Sequence, residues 1–266
     1  MMQRSILRTI RTAVALACLG AGAPVAQGDA LVVTRAMKAS TVAEIFIGEE
    51  DVRVELEIGV SDLEAFHNLL PQALLERMGT EATPLEERLP RFFLKDLTVR
   101  ADDGPPLRGY VESMEGRERT ARDEITGEPL ATGTNQAEAV VFATLVYPLE
   151  GRPATLSFKP PLSGERGMVS ANIGFTTYHH GLPVMDFRYL GREETVILDW
   201  EDPWYSQFEN KNLWRSYREP ISVFLYAEPF EVRAEVIVRP FDLQQWVDLG
   251  LEGRRTIPVE MQETLR

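Results

Sequence analysis

Aromatic side chains concentrate in one stretch of the sequence, residues 199–217. Rigid aromatic rings bury a large area at a low entropic cost, so such a cluster in a loop indicates a surface that binds a protein or stacks on a sugar. The alternative is an ordinary loop whose rings fill the end of a β-sandwich. The candidate binding residues are Trp200, Trp204, Tyr205, Phe208, Trp214 and Tyr217.

The same stretch begins with three carboxylates, Asp199, Glu201 and Asp202. Closely spaced carboxylate oxygens are what a Ca²⁺ site requires, but the spacing, the glycine and the terminal glutamate of an EF-hand loop are missing. The alternative is that these residues form a turn and cap a helix beside neighbouring arginines. We therefore predict no metal ion and no cofactor.

His179 and His180 are the two adjacent imidazoles of the chain. Neighbouring residues of a strand point to opposite faces of the sheet, so we do not expect both to bind one metal ion. One of them, paired with Asp186 or Asp199, could act as a ligand or a base. The alternative is an exposed strand end followed by a tight turn.

Sequence motifs of the common nucleophilic and phosphate-binding enzymes are missing. The chain has no Gly-x-Ser-x-Gly, no Ser-x-x-Lys, no P-loop, no Gly-x-Gly-x-x-Gly and no His-Glu-x-x-His. We therefore expect a protein without catalytic activity. The alternative is a hydrolase of an envelope or extracellular polymer that uses His179 or the carboxylates of residues 199–202.

The first thirty residues have the composition of a secretory signal peptide. Three arginines precede a short apolar stretch over residues 13–23, and alanines suited to cleavage follow at Ala26 and Ala30. The predicted location is therefore periplasmic or extracellular. The apolar stretch is too short to span a bilayer, and the remaining chain has no longer one, so we predict no transmembrane segment.

Charge and cysteine content exclude several classes of function. The whole chain has a net charge of −13, and removal of residues 1–30 leaves 25 basic and 40 acidic side chains, a net charge of −15. This balance argues against binding to nucleic acid, which depends on clustered Lys and Arg. The one cysteine, Cys18, lies in the signal peptide, so the exported chain has no thiol nucleophile and no disulfide.

Apolar and polar residues alternate in many short segments. Residues 41–47 and 52–58 predict an antiparallel hairpin, residues 222–227 and 231–238 predict another, and residues 61–70 and 242–250 predict helices after them. The sequence predicts a mainly β (α+β) fold, an antiparallel β-sandwich-like architecture with a few short inserted helices. We predict one decorated domain over residues 31–266, with a weak boundary near 163–167, and find no internal repeat.

The first hairpin and helix resemble known exported proteins. Residues 43–47, 54–58 and 62–64 are similar to the start of extracytoplasmic domains in exported bacterial proteins, some of which resemble the region before the membrane helices of HupE/UreJ-like proteins. Residues 199–205 and 230–249 resemble an exported family without assigned activity. The resemblance implies a β-rich sensory, carrier or assembly module.

These observations combine into one functional expectation. We predict an exported, non-catalytic β-sandwich module that binds a protein partner or takes part in envelope assembly. The helical pattern of residues 256–266 suggests association with another chain, such as a membrane protein.

Overall fold

The computed structural model describes residues 35–81, 83–119, 138–163 and 168–252, together with residues 254, 257 and 261. The chain divides into the units Met1–Val32 and Val33–Arg266, and every described residue belongs to the second. The predicted signal peptide, the weak boundary near residues 163–167 in large part, and most of the helical pattern of residues 256–266 lie outside the described residues.

The described part of the chain is mainly β, as predicted. Its strands, in chain order β1 to β15, are Thr41–Ile47, Asp51–Gly59, Thr98–Ala101, Tyr110–Arg119, Glu138–Pro148, Thr155–Lys159, Leu162–Ser163, Met168–Val169, Ile173–His179, Leu182–Pro183, Arg188–Tyr189, Glu194–Ile197, Gln207–Phe208, Ile221–Ala227 and Val232–Val238. The α-helices, α1 to α3, are Gln72–Arg77, Leu85–Arg91 and Pro240–Leu243. A π-helical turn, Phe92–Asp96, continues α2, and 3₁₀ helices cover Arg35–Lys38, Val60–Phe66, Pro203–Tyr205 and Lys211–Leu213.

Two sheets share one hydrophobic core. The larger has the strand order β10-β9-β1-β2-β5-β4, with β11 also pairing with β9, and the smaller has the order β13-β12-β6-β3. All of these pairs are antiparallel except β1 with β9. Phe175 of the larger sheet meets Phe208 of the smaller edge to face, with ring centroids 5.8 Å apart. The arrangement is the predicted sandwich-like fold.

The first hairpin follows its period-two pattern. Ala43, Ile45 and Ile47 on β1 and the alternate apolar residues of β2 are buried, while Arg53 stays exposed. Both strands lie in the middle of the larger sheet, because β9 pairs with β1 and β5 pairs with β2. The hairpin is thus covered on both edges and on one face.

One glycine is required by close packing. A Cβ atom on Gly174 of β9 would lie inside van der Waals contact of the carbonyl oxygen of Ala36. The 3₁₀ helix Arg35–Lys38 therefore crosses β9 at a distance that only glycine permits.

The helix after β15 differs from the sequence prediction. It covers Pro240–Leu243 rather than residues 242–250, and Asp242 lies inside it instead of capping it. Arg239 is the N-cap because Pro240, which lacks an amide hydrogen, is suited to the first helical position. The Asp242 carboxylate accepts hydrogen bonds from the Arg239 guanidinium instead, one of them 2.8 Å long.

Candidate binding surface

The three carboxylates that follow β12 shape the loop that leads to the aromatic residues. Asp199 Oδ1 accepts hydrogen bonds from the amides of Glu201 and Asp202, at 3.0 and 2.8 Å. Asp202 Oδ1 in turn accepts one from the amide of Trp204 at the start of a 3₁₀ helix. These contacts form a turn and a helix cap, which was the alternative to a Ca²⁺ site. Within the described residues, no group of three or more His, Cys, Asp or Glu side chains is arranged to hold a metal ion.

The tryptophans of the predicted binding loop all donate their indole hydrogens to the protein itself. Trp200 Nε1 donates to the carbonyl of Pro153 at 2.7 Å, Trp204 Nε1 to that of Arg218 at 2.9 Å, and Trp214 Nε1 to that of Phe208 at 2.7 Å. All three rings are half-buried. Their polar atoms therefore orient the rings within the loop.

The other three candidate binding residues lie in different surroundings. Phe208 is in the core between the sheets. Tyr205 is 41% exposed, and Tyr217 is half-buried with its ring edge to face with Phe224 of β14, at a centroid distance of 6.0 Å. The structure therefore gathers the predicted aromatic residues into one loop, most of which packs inward. The binding role of these residues stays a prediction.

Two arginines flank the ring of Trp204. The guanidinium carbon of Arg215 lies 3.7 Å from the ring centroid and that of Arg239 lies 5.3 Å from it. Arg239 forms ion pairs with Asp202, at 2.9 Å, and with Asp242, and these hydrogen bonds raise its pKa. A cation so placed is well stabilised, because both charge partners and an aromatic face surround it.

Arg215 is buried in a different way. It donates to the carbonyl oxygens of Pro183 and Trp204, but its Nε has no hydrogen-bond partner. Burial, followed by the charges of Arg218 and Arg239, lowers its pKa to about 10. The side chain thus ties the loop to β10 through backbone carbonyls rather than through a carboxylate.

The two histidines do not point apart as predicted. Their ring centroids lie 4.9 Å from each other, because His179 is the last residue of β9 and His180 adopts a left-handed backbone conformation, φ 48°, in the turn that follows. The alternation of side chains applies only within a strand, so the expectation that the two rings point to opposite faces of the sheet was wrong.

His179 forms a buried contact with a serine. Its Nδ1 lies 2.7 Å from Ser206 Oγ, which accepts a hydrogen bond from the amide of Asp199 at 2.9 Å. Burial, with a smaller effect from His180, lowers the pKa of His179 to about 4, so the ring is neutral near pH 7. Both side chains are buried, so this Ser–His pair holds the loop against β9 and presents no nucleophile to solvent.

A groove with a volume of about 560 Å³ lies on another part of the surface. Its walls are mostly proline, leucine and charged side chains, among them Asp102, Arg108, Glu150 and Arg152. Asp102 Oδ1 is already bonded to the amide of Thr155 at 2.9 Å, and Arg152 is paired with Glu49. The charged groups on its walls therefore include two that hold the surrounding loops together.

Among the described residues, the hairpin of β14 and β15 exposes several large apolar side chains. Because side chains alternate, one face of this hairpin carries only apolar residues, which we call the apolar hairpin face: Ile221, Val223, Leu225, Ala227, Val232, Ala234, Val236 and Val238. The exposed fractions of Ile221, Val223 and Val236 are 54–56%, and those of Leu225 and Val232 are 70%. Phe230 in the turn is fully exposed.

The opposite face of the same hairpin is made of residues that contact one another. Tyr226 donates its hydroxyl to Glu235 at 3.1 Å, and the Arg233 guanidinium carbon lies 4.6 Å from the Tyr226 ring centroid. This face has the mixture of aromatic and charged groups expected of a surface in water. The apolar hairpin face has none of these polar groups.

The predicted aromatic loop forms the base of this hairpin. The Arg239 amide donates to the carbonyl of Pro220 at 2.8 Å, and the Arg239 side chain joins Asp202 of the loop. Tyr217 packs on Phe224. The sequence identified the loop and both strands of the hairpin, but it missed the hairpin as a candidate surface, because the same alternation predicts a buried strand.

Comparisons with protein-family models and with curated protein sequences find no relative. Among the described residues, no helix is both long enough and apolar enough to cross a membrane.

Proposed function

We propose that this protein is an exported, non-catalytic module that binds another polypeptide through the apolar hairpin face. The observation that carries the proposal is the exposure of that face, on which five branched side chains are each more than half exposed. Single exposed apolar residues are common, whereas large contiguous apolar patches are rare on monomeric proteins and are typical of protein-binding sites.

The energetics of a two-stranded hairpin support the same proposal. Such a hairpin is marginally stable in water unless further strands or a packed layer cover its apolar side. Among the described residues, β14 and β15 pair only with each other. A partner that covers the apolar hairpin face would add hydrophobic burial of about 25 cal/mol for every Å² removed from water.

The aromatic loop contributes to the proposed surface by holding the hairpin in place. Arg239, the residue after β15, forms an ion pair with Asp202. Its guanidinium also lies beside the rings of Trp204 and Tyr205, and these contacts orient the Arg239 side chain. Loops and hairpins that bind partners are commonly held by a rigid scaffold of this kind.

Photo-crosslinking in the native host tests the proposal. A photoreactive phenylalanine derivative is placed at Val236, on the apolar hairpin face, and in a matched variant at the neighbouring Glu235, on the opposite face. We expect cross-links to a polypeptide from position 236 and at least tenfold fewer from position 235. Equal yields from the two positions, or none from either, would contradict the proposal.

The export part of the proposal has its own test. Residues 1–30 carry the arginines, apolar stretch and alanines of a signal peptide. We expect the chain to appear in the periplasm or medium without these residues, and a chain lacking them to stay in the cytoplasm. Retention of the full chain in the cytoplasm would contradict export.

A further inference from the structure

The hairpin of β14 and β15 repeats the hairpin of β1 and β2 with a shift of 180 residues. Ile45 lies opposite Val54 in the first hairpin, and Leu225 lies opposite Ala234 in the second. All six pairs of the first hairpin have an equivalent in the second: Ile47 pairs with Val52, for example, and Ala227 pairs with Val232. The sequence analysis did not identify this correspondence.

The turns of the two hairpins are closed by equivalent hydrogen bonds. The amide of Gly48 donates to the carbonyl of Asp51 at 2.9 Å, and the amide of Glu228 donates to the carbonyl of Glu231 at 2.9 Å. Both positions differ by the same 180 residues. The two hairpins thus agree in pairing register and turn, and their first strands, β1 and β14, both have seven residues.

The sequences after the turns retain a weak similarity. Residues 52–69 and 232–249 are identical at six positions, which in the second segment are Val232, Arg233, Glu235, Asp242, Leu243 and Leu249. Phe66 corresponds to Trp246, and the helical turn Val60–Phe66 corresponds to the region that begins with Pro240–Leu243. With so few identities, the shared register of the backbone is the stronger sign of the repeat.

The two hairpins, each with the helical region that follows it, differ in the strands that cover them. Val52 and Phe66 are both 0% exposed, whereas the corresponding Val232 and Trp246 are 70% and 83% exposed. In the first hairpin, β9 lies parallel to the outer edge of β1 and β5 lies antiparallel to the outer edge of β2. Within the described part of the chain, no strand takes either position beside the second hairpin.

We propose that the second hairpin binds a partner polypeptide that donates the two missing strands, one parallel to β14 and one antiparallel to β15. This inference rests on the proposed function, and it names the chemistry of the partner: extended, largely apolar segments that complete the sheet as β9 and β5 complete it around the first hairpin. Main-chain hydrogen bonds along the outer edges of β14 and β15 would supply affinity, and the apolar hairpin face would select apolar side chains.

Two other occupants fit the same surface less well. A second copy of the chain cannot offer its own β9 and β5, because both strands are paired inside its larger sheet. An anionic membrane surface is disfavoured, because Glu228 and Glu231 flank the exposed Phe230 at the tip of the hairpin and the chain has a net charge of −13.

The repeat supplies the probe for a direct test. A labelled peptide with the sequence of residues 138–149, extended by two lysines at each end, copies β5, the strand that covers β2. It is added to the chain of residues 31–266, in which the edge of β2 is already filled by β5. We expect saturable binding seen by fluorescence anisotropy, and at least tenfold slower hydrogen exchange of the β15 amides.

Matched variants and a control peptide locate the binding. Val236→Lys, on the apolar hairpin face, should weaken binding at least tenfold, and Glu235→Lys, on the opposite face of the same strand, should leave it unchanged. The same peptide carrying Phe142→Pro and Leu145→Pro should not bind, because proline lacks the amide hydrogen that strand pairing requires. Unchanged binding by Val236→Lys, or no binding of the β5 peptide at millimolar concentration, would overturn the inference.

Sedimentation of the chain without peptide tests whether a second copy of the chain occupies the apolar hairpin face. A dimer that Val236→Lys dissociates would overturn the inference in favour of a second copy. Failure of the peptide together with persistent cross-links from position 236 would overturn the strand-donation inference alone, and loss of both would overturn the proposed function as well.

Discussion

Ile45 and Leu225 hold equivalent positions in two hairpins of the same register, yet Ile45 is 1% exposed and Leu225 is 70% exposed. The register is the same in both hairpins, so it does not explain this difference. Within the described residues, neighbouring strands and the second sheet cover the first hairpin, and no strand pairs with the second. The contribution of each residue to stability should differ accordingly.

The pair Ile45 and Leu225 gives the first prediction. Ile45→Ala should lower the free energy of unfolding by about 2–5 kcal/mol, because it leaves a cavity in the core. Leu225→Ala should change it by less than about 0.5 kcal/mol, as expected for a surface substitution. Urea unfolding of the two variants measures both. A large loss in Leu225→Ala would show that the apolar hairpin face is covered within the protein.

The lowered pKa of His179 predicts a loss of stability in acid. The folded protein holds this histidine with a pKa of about 4, against an ordinary value of 6.5, so between these pH values the unfolded chain binds a proton that the folded chain does not. Stability should therefore fall as the pH drops from about 6.5 to 4, by about 3 kcal/mol in total from this group.

Unfolding measured at several pH values tests this effect. His179→Gln should remove that part of the pH dependence, although the variant is less stable at neutral pH. His67→Gln, at an exposed position, should retain the dependence of the parent protein. Identical pH profiles for the parent and His179→Gln would disprove the assignment.

Substitutions in the aromatic loop distinguish side chains that pack within the protein from side chains that contact a partner. Because the Trp204 indole donates to Arg218 and lies under Arg215, Trp204→Ala should lower the free energy of unfolding by about 3 kcal/mol. Tyr205→Ala, at the 41% exposed neighbour, should cost less than about 1 kcal/mol. A fully stable Trp204→Ala variant that loses partner binding would instead support the loop as the contact surface.

The packing of β9 predicts a strong effect of a single methyl group. Gly174→Ala would force a Cβ atom against the backbone of Ala36, so we expect destabilisation by more than about 2 kcal/mol. Gly116→Ala in β4 is the matched control, because no atom lies within 4 Å of the Cβ position there and the new side chain should be tolerated. Thermal unfolding of both variants measures the difference, and equal melting temperatures would contradict the close approach.

Much of the local structure was predictable because it depends on side-chain alternation. The strands of both hairpins and the mainly β class follow from period-two patterns such as residues 52–58. The position of His180 was not predictable in this way, because its ring direction depends on a left-handed backbone at the end of β9. The Asp242 cap failed because Pro240 began the helix two residues earlier.

The sequence by itself determined which residues form strands and which face of each hairpin is apolar. Only the tertiary structure decided that the face of the first hairpin is buried and that of the second is exposed. The physical reason is that alternation is a local property of the backbone, whereas burial depends on strands more than eighty residues away, such as β5 and β9 around β1 and β2. The same pattern therefore produces a core in one place and a candidate binding surface in the other.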